Sequence, residues 1–117
     1  MVQVLCKLDD IDAAAGREVV VEGPEGRVYL ALLVSGRKVH AWLSVCPHQG
    51  RSLSWAPGEF LFGDAGELVC PHHGACFDPA TGECVSGPCQ GDFLTPVEVL
   101  VKDGEVLLDS DRLRTPG

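Results

Sequence analysis

Hydrophobic residues along this chain come in short bursts separated by Gly, Pro, Asp and Ser, the signature of brief strands and tight turns rather than of helices. Residues 2–5 read as a first strand, and residues 9–16, acidic and rich in alanine, as a turn or a single short helical turn. Residues 17–22, 27–34 and 38–45 are dense in Val, Leu, Tyr and Trp. Gly23-Pro24-Glu25-Gly26 and Ser35-Gly36-Arg37 separate them, so they read as consecutive hairpins. Pro57-Gly58 and Gly63-Asp64-Ala65-Gly66 mark turns around the apolar residues 60–62. Residues 67–70 form a further strand, and residues 75–78 and 83–86 a hairpin closed by Pro79-Ala80-Thr81-Gly82. Residues 96–102 and 105–109 alternate as strands about Asp103-Gly104, a strong hairpin signal, and would return to the first sheet. Residues 110–117 are a polar tail, expected to be mobile. The pattern predicts an all-β fold, a sandwich or small open barrel.

At 117 residues the chain is expected to be one domain with a core that needs no disulfides. Its start lacks a basic region followed by a long apolar run, and no apolar stretch is long enough to span a bilayer. A soluble, cytoplasmic protein is expected. Seventeen acidic against nine basic side chains give a net charge of -8, which repels nucleic acid and anionic membranes and suits a basic protein partner.

Six cysteines without an export signal point to metal before a disulfide framework. Two sit in similar knuckles: C-P-H-Q-G from Cys46 to Gly50 and C-P-H-H-G from Cys70 to Gly74. Each offers one thiolate and one imidazole, and the glycine that follows supports a tight turn. Cys46, His48, Cys70 and His73 are therefore candidate ligands. A tetrahedral zinc or a two-iron cluster would accept such a set. The spacing favours iron, since zinc fingers usually pair like ligands within a knuckle. In a two-iron cluster each loop gives its Cys to one iron and its His to the other, so that both loops clamp it. Cys6, Cys76, Cys84 and Cys89 are left over; Cys76 and Cys84 flank residues 78–82 and are candidates to meet across that hairpin.

These knuckles resemble the Rieske iron-sulfur motif, C-X-H-X-G followed by C-X-X-H-X-G. The resemblance extends to Phe77-Asp78, Thr81-Gly82-Glu83 and Ser86-Gly87-Pro88, the last similar to the family's proline loop. It implies a base of antiparallel sheet carrying a small cluster-binding subdomain of two loops, about residues 45–90, and one Rieske-type 2Fe-2S cluster on Cys46, His48, Cys70 and His73. Twenty-one residues separate His48 from Cys70, longer than the usual ferredoxin-type spacing; the extra length is expected as a surface insertion over residues 55–63, in which the apolar residues 60–62 pack on the base of the subdomain.

High-potential members of the family carry a disulfide between the knuckles, and a Ser and a Tyr that donate hydrogen bonds. The matching positions here are Arg51 and His72, and Ala75 and Phe77. The chain thus resembles the ferredoxin-type subgroup, with a potential near the low end of about -150 to +300 mV. The second iron site of Rieske oxygenases needs two histidines and a carboxylate, but only His40 and His72 remain. His40 reads as a structural histidine of a strand, and His72 as a candidate point of electron exit beside Pro47 and Pro88. The implied role is a one-electron carrier, not an enzyme, between redox protein partners, a reductase and a terminal oxygenase or reductase. Alternatives are a non-catalytic subunit or redox-sensing module of a larger complex, or a structural zinc module.

Overall fold

The computed structural model describes residues 2–12, 15–23, 26–35, 38–45, 52–56, 58–71, 74–88 and 90–109. The strands are β1 (Val2–Lys7), β2 (Arg17–Gly23), β3 (Gly26–Ser35), β4 (Lys38–Leu43), β5 (Ser54–Ala56), β6 (Glu59–Phe62), β7 (Leu68–Val69), β8 (Cys76–Phe77), β9 (Cys84–Ser86), β10 (Pro96–Val97), β11 (Val99–Lys102) and β12 (Glu105–Asp109). A single 3-10 turn, Leu8–Asp10, follows β1. Among the described residues no helix is long and apolar enough to cross a membrane.

The strands form three antiparallel sheets, ordered β10-β4-β3-β2, β1-β12-β11 and β5-β6-β7-β8-β9. Residues 28–34 of β3 are an unbroken apolar run, as expected of a strand covered on both faces. Successive side chains of a strand point to opposite faces, so Leu30 and Leu32 enter one core while Ala31 and Leu33 enter another. The same alternation sends Ala41 and Leu43 of β4 to the first core and Trp42 to the second. The first core lies against the three-stranded sheet, through Cys6, Val106 and Leu108. The second lies against the five-stranded sheet, through Phe60, Leu68, Phe77 and Cys84. The four-stranded sheet is thus the middle layer, and the five-stranded sheet carries the candidate site. The fold is all-β, in stacked sheets rather than a closed barrel.

Both predicted hairpins about β3 form, with Gly23 opposite Gly26 and Ser35 opposite Lys38. Asp103-Gly104 joins β11 to β12 with both residues at positive φ, 53° and 76°, as the favoured two-residue turn requires.

One expectation needs correction. The run 96–102 is not one strand: Pro96–Val97 pairs with β4 in the middle sheet, whereas Val99–Lys102 pairs with β12. Val97 and Val99 both face the first core, so the alternation continues unbroken while the chain changes sheet at Glu98. Residues 55–63, expected as a surface insertion, supply most of the β5–β6 hairpin, whose Phe60 is 8% exposed in the second core while Trp55 and Leu61 face outward.

Candidate metal centre

The middle sheet roots the first loop. Ser44 donates its N–H to the Tyr29 carbonyl at 2.8 Å, extending the β3–β4 pairing beyond Leu43. Val45 then pairs with Ser52 in an isolated bridge, which joins the described residues on either side of 46–51. Fully buried Leu53 anchors the return, its N–H 3.4 Å from the Ser44 carbonyl. Cys46 and His48, together with Pro47 and Arg51, lie outside the described residues; the foot of their loop is the Val45–Ser52 bridge.

Cys70 closes β7 and starts the second loop. It is 1% exposed and keeps a free thiol. Its N–H donates to the Ala75 carbonyl at 2.7 Å, and its own carbonyl accepts from Gly74 N–H at 3.0 Å. These two bonds draw residues 70–75 into a closed loop. His72 and His73 lie outside the described residues.

A third segment presses on this loop. Gly87 has φ +101°, and a Cβ there would stand 2.7 Å from the Ala75 Cα. Only a glycine lets the Ser86-Gly87-Pro88 backbone come so close.

The hairpin between these segments explains the other shared residues. Phe77 is fully buried in the second core. Asp78 turns the chain by accepting the Ala80 and Thr81 N–H groups at 2.8 and 3.3 Å, an Asx-type turn. Gly82 (φ +76°) lies on the Trp42 ring, where a Cβ would sit 2.8 Å from the nearest ring carbon. Trp42 also donates its indole N–H to the Pro79 carbonyl at 3.2 Å. One tryptophan of the middle sheet therefore fixes the hairpin that bears Ala75 and Cys76. His40, two residues before it, stacks on Trp42 with ring centroids 6.3 Å apart and 13° between planes, a structural role as expected.

The spare cysteines do not converge. Phe77 pairs with Cys84, whereas Cys76 pairs with Ser86, so Cys84 enters the core beside Phe77 and Cys76 faces out. Cys76 keeps a free thiol that points to the Gly74 carbonyl at 3.4 Å. Their meeting across the hairpin is excluded by this register. Cys6 lies in the first core, where burial pushes its thiol pKa up from 9.0; Arg17 lowers it and Asp10 raises it by smaller amounts. Cys89 lies outside the described residues.

The residues present fit an iron-sulfur cluster in three respects. Cys70 presents a buried, unbridged thiol at the root of a loop, a soft donor suited to iron or zinc. The feet of both loops are tied by backbone hydrogen bonds. The Gly87 segment is held against the second loop. At the positions of the high-potential Ser and Tyr, Ala75 and Phe77 are fully buried and bring no hydroxyl.

A family model described as Rieske [2Fe-2S] domain matches residues 1–105. The chain belongs to this family. A Rieske-type [2Fe-2S] cluster is accordingly its cofactor. Among solved structures, a chain from the complex of reduced oxygenase and oxidised ferredoxin in carbazole 1,9a-dioxygenase is 28% identical, with 97% of each chain covered and a TM-score of 0.71. The ferredoxin of Sphingomonas yanoikuyae B1 is 27% identical over 92% of this chain and 96% of its own, with a TM-score of 0.65. The ferredoxin of carbazole 1,9a-dioxygenase from Nocardioides aromaticivorans IC177, 23% identical over 92% and 95%, shares the fold with a TM-score of 0.67. Comparison with the curated proteins returned no match.

The sequence carries no sign of the part that Trp42 plays, since in the strand pattern it is one apolar residue among several.

Proposed function

We propose that this chain is a small Rieske-type ferredoxin that carries single electrons from a reductase to a terminal oxygenase or reductase. Cys46 and Cys70 hold one iron of its cluster and His48 and His73 the other. The observation that carries the reading is the Rieske family match over residues 1–105, supported at the site by Cys70 in its hydrogen-bonded loop. Likeness to a chain from an oxygenase–ferredoxin complex that covers 97% of both chains supports a carrier of this size with an oxygenase as acceptor.

The cluster supplies one-electron chemistry when bound, and its imidazole ligands raise the potential above that of an all-cysteine cluster. The chain's own residues position it and set its surroundings. Buried Ala75 and Phe77 donate no side-chain hydrogen bond where the high-potential subgroup has hydroxyls, so the potential lies near the low end of the Rieske range. Residues 46–95 contain six acidic side chains against Arg51 alone. This stretch carries most of the chain's net negative charge, and it suits an acceptor with a basic docking face. We place the protein in the cytoplasm, where a thiol such as Cys76 stays reduced.

The deciding experiment is the visible spectrum of the purified protein, oxidised and then reduced with dithionite, with iron and zinc counted on the same sample. A red-brown protein that bleaches and holds about two irons per chain is expected. A colourless protein with one zinc would overturn the reading.

A further inference from the structure

Glu18 stands on the wrong side of its strand for a carboxylate. It pairs with Ala31, which is fully buried in the core shared by the middle and five-stranded sheets; residues of a cross-strand pair share a face. An apolar side chain is the usual occupant of such a position. Three donors instead converge on this half-buried carboxylate. Ser44 Oγ donates to Oε2 at 2.9 Å, Gly58 N–H to Oε1 at 3.2 Å, and Ser54 Oγ reaches Oε1 at 3.5 Å.

The donors come from both sides of residues 46–51. Ser44, 2% exposed, precedes them. Ser54 follows them in β5, its hydroxyl 2.8 Å from that of Ser52, which pairs with Val45. Gly58 lies in the turn of the same β5–β6 hairpin. One carboxylate on β2 thus fastens the end of β4 to the β5–β6 hairpin at two points. Hydrogen bonds to a charged acceptor are stronger than neutral ones, and the buried Ser44 hydroxyl would be costly to leave without its acceptor.

We propose that Glu18 is a positioning residue for the cluster: its carboxylate fastens Ser44 to Ser54 and Gly58, described residues on either side of 46–51, and its negative charge opposes the arrival of an electron. The proposal rests on the reading that Cys46 and His48 are ligands. No ligand, metal or partner is contributed by Glu18 itself.

The test uses the full chain loaded with its cluster and compares Glu18→Gln, Ser44→Ala and Glu22→Gln. Glu22 is a control on the same strand, exposed and paired with Arg27 at 3.9 Å. Iron release to a chelator, the midpoint potential and amide exchange at Leu53 and Gly58 are measured. Glu18→Gln is expected to release iron about tenfold faster or more, to raise the midpoint potential, and to speed exchange at both amides. Glu22→Gln is expected to leave release and exchange at wild-type values. Glu18→Gln behaving like Glu22→Gln on all three measurements overturns the proposal. Should Glu18→Gln fail to fold, Ser44→Ala decides, since it removes one donor and keeps the charge; wild-type release from Ser44→Ala then overturns the proposal. A wild-type chain without iron overturns the ligand reading instead, and unaltered exchange in Glu18→Gln would still refute the clamp.

Discussion

Two glycines of one loop offer a controlled test of whether close backbone contact holds the segment 86–88 against Ala75 and the second candidate ligand loop. Gly87 and Gly91 have almost the same φ, +101° and +98°, but a Cβ at Gly87 meets the Ala75 backbone at 2.7 and 3.2 Å, and a Cβ at Gly91 meets nothing within 4 Å. Replacing each by alanine imposes a similar backbone strain and the same loss of unfolded-state freedom. Both contributions largely cancel between the variants, and the remaining difference is the collision with Ala75. Overpacking of this kind costs about 1–3 kcal/mol. Backbone atoms cannot swing aside as a side-chain end can, which favours the upper part of that range. For 117 residues the unfolding entropy is roughly 250 cal/mol/K, so 1 kcal/mol moves Tm by about 4 °C. Gly87→Ala should therefore melt about 4–12 °C below Gly91→Ala, read by far-ultraviolet circular dichroism on iron-loaded protein at one scan rate. Its iron should also escape to a chelator faster, because the displaced segment no longer presses on the Cys70–Ala75 loop. Equal melting of the two variants, within about 2 °C, would sink the idea that this contact holds the segment in place.

Further outcomes follow from other residues. Cys70→Ser should abolish the visible spectrum, whereas Cys76→Ser, which alters an outward-facing thiol, should keep it and change stability by about 0.5 kcal/mol or less. The midpoint potential should lie below about +100 mV and fall with rising pH in the alkaline range as the bound imidazoles lose protons; a pH-independent value there would count against histidine ligation. Burial raises the Cys6 pKa, so the folded state keeps a proton that the unfolded state gives up. The stability this contributes is complete below pH 9, the ordinary thiol value, and is lost as pH rises towards the folded value. Urea midpoints at pH 8 and above pH 10 should therefore diverge less in Cys6→Val than in the wild type. Trp42→Phe leaves the Pro79 carbonyl without its indole donor and should cost about 1–3 kcal/mol, measured by urea unfolding; an unchanged urea midpoint would mean that the indole bond does not hold the hairpin.

The Cys6 shift and the Trp42 contacts belong to different kinds of information. The former follows from a thiol in an amphipathic strand, whereas the latter join residues that the sequence places far apart. Most strands were legible because a pleated strand alternates its side chains whatever it pairs with, and because Gly, Pro and Asp-Gly mark the turns. The candidate ligand knuckles stand out in the sequence for a related reason: two donors within a tight loop are a local arrangement, so their spacing carries the chemistry directly. Cys46, His48, Cys70 and His73 were read from the sequence in this way, and the family match supports the cluster they imply.

The tertiary structure decided everything that depends on which strands become neighbours. Periodicity cannot show that Val97 and Val99 belong to different sheets, since both face one core. Nor does it show that residues 54–62 pair as a hairpin at the edge of the five-stranded sheet. The contact of Gly82 with Trp42, of Gly87 with Ala75, and of Glu18 with Ser44 and Gly58 join positions between twelve and forty residues apart. Alternation says that a residue faces inward or outward; only the packing of three layers says what it meets there.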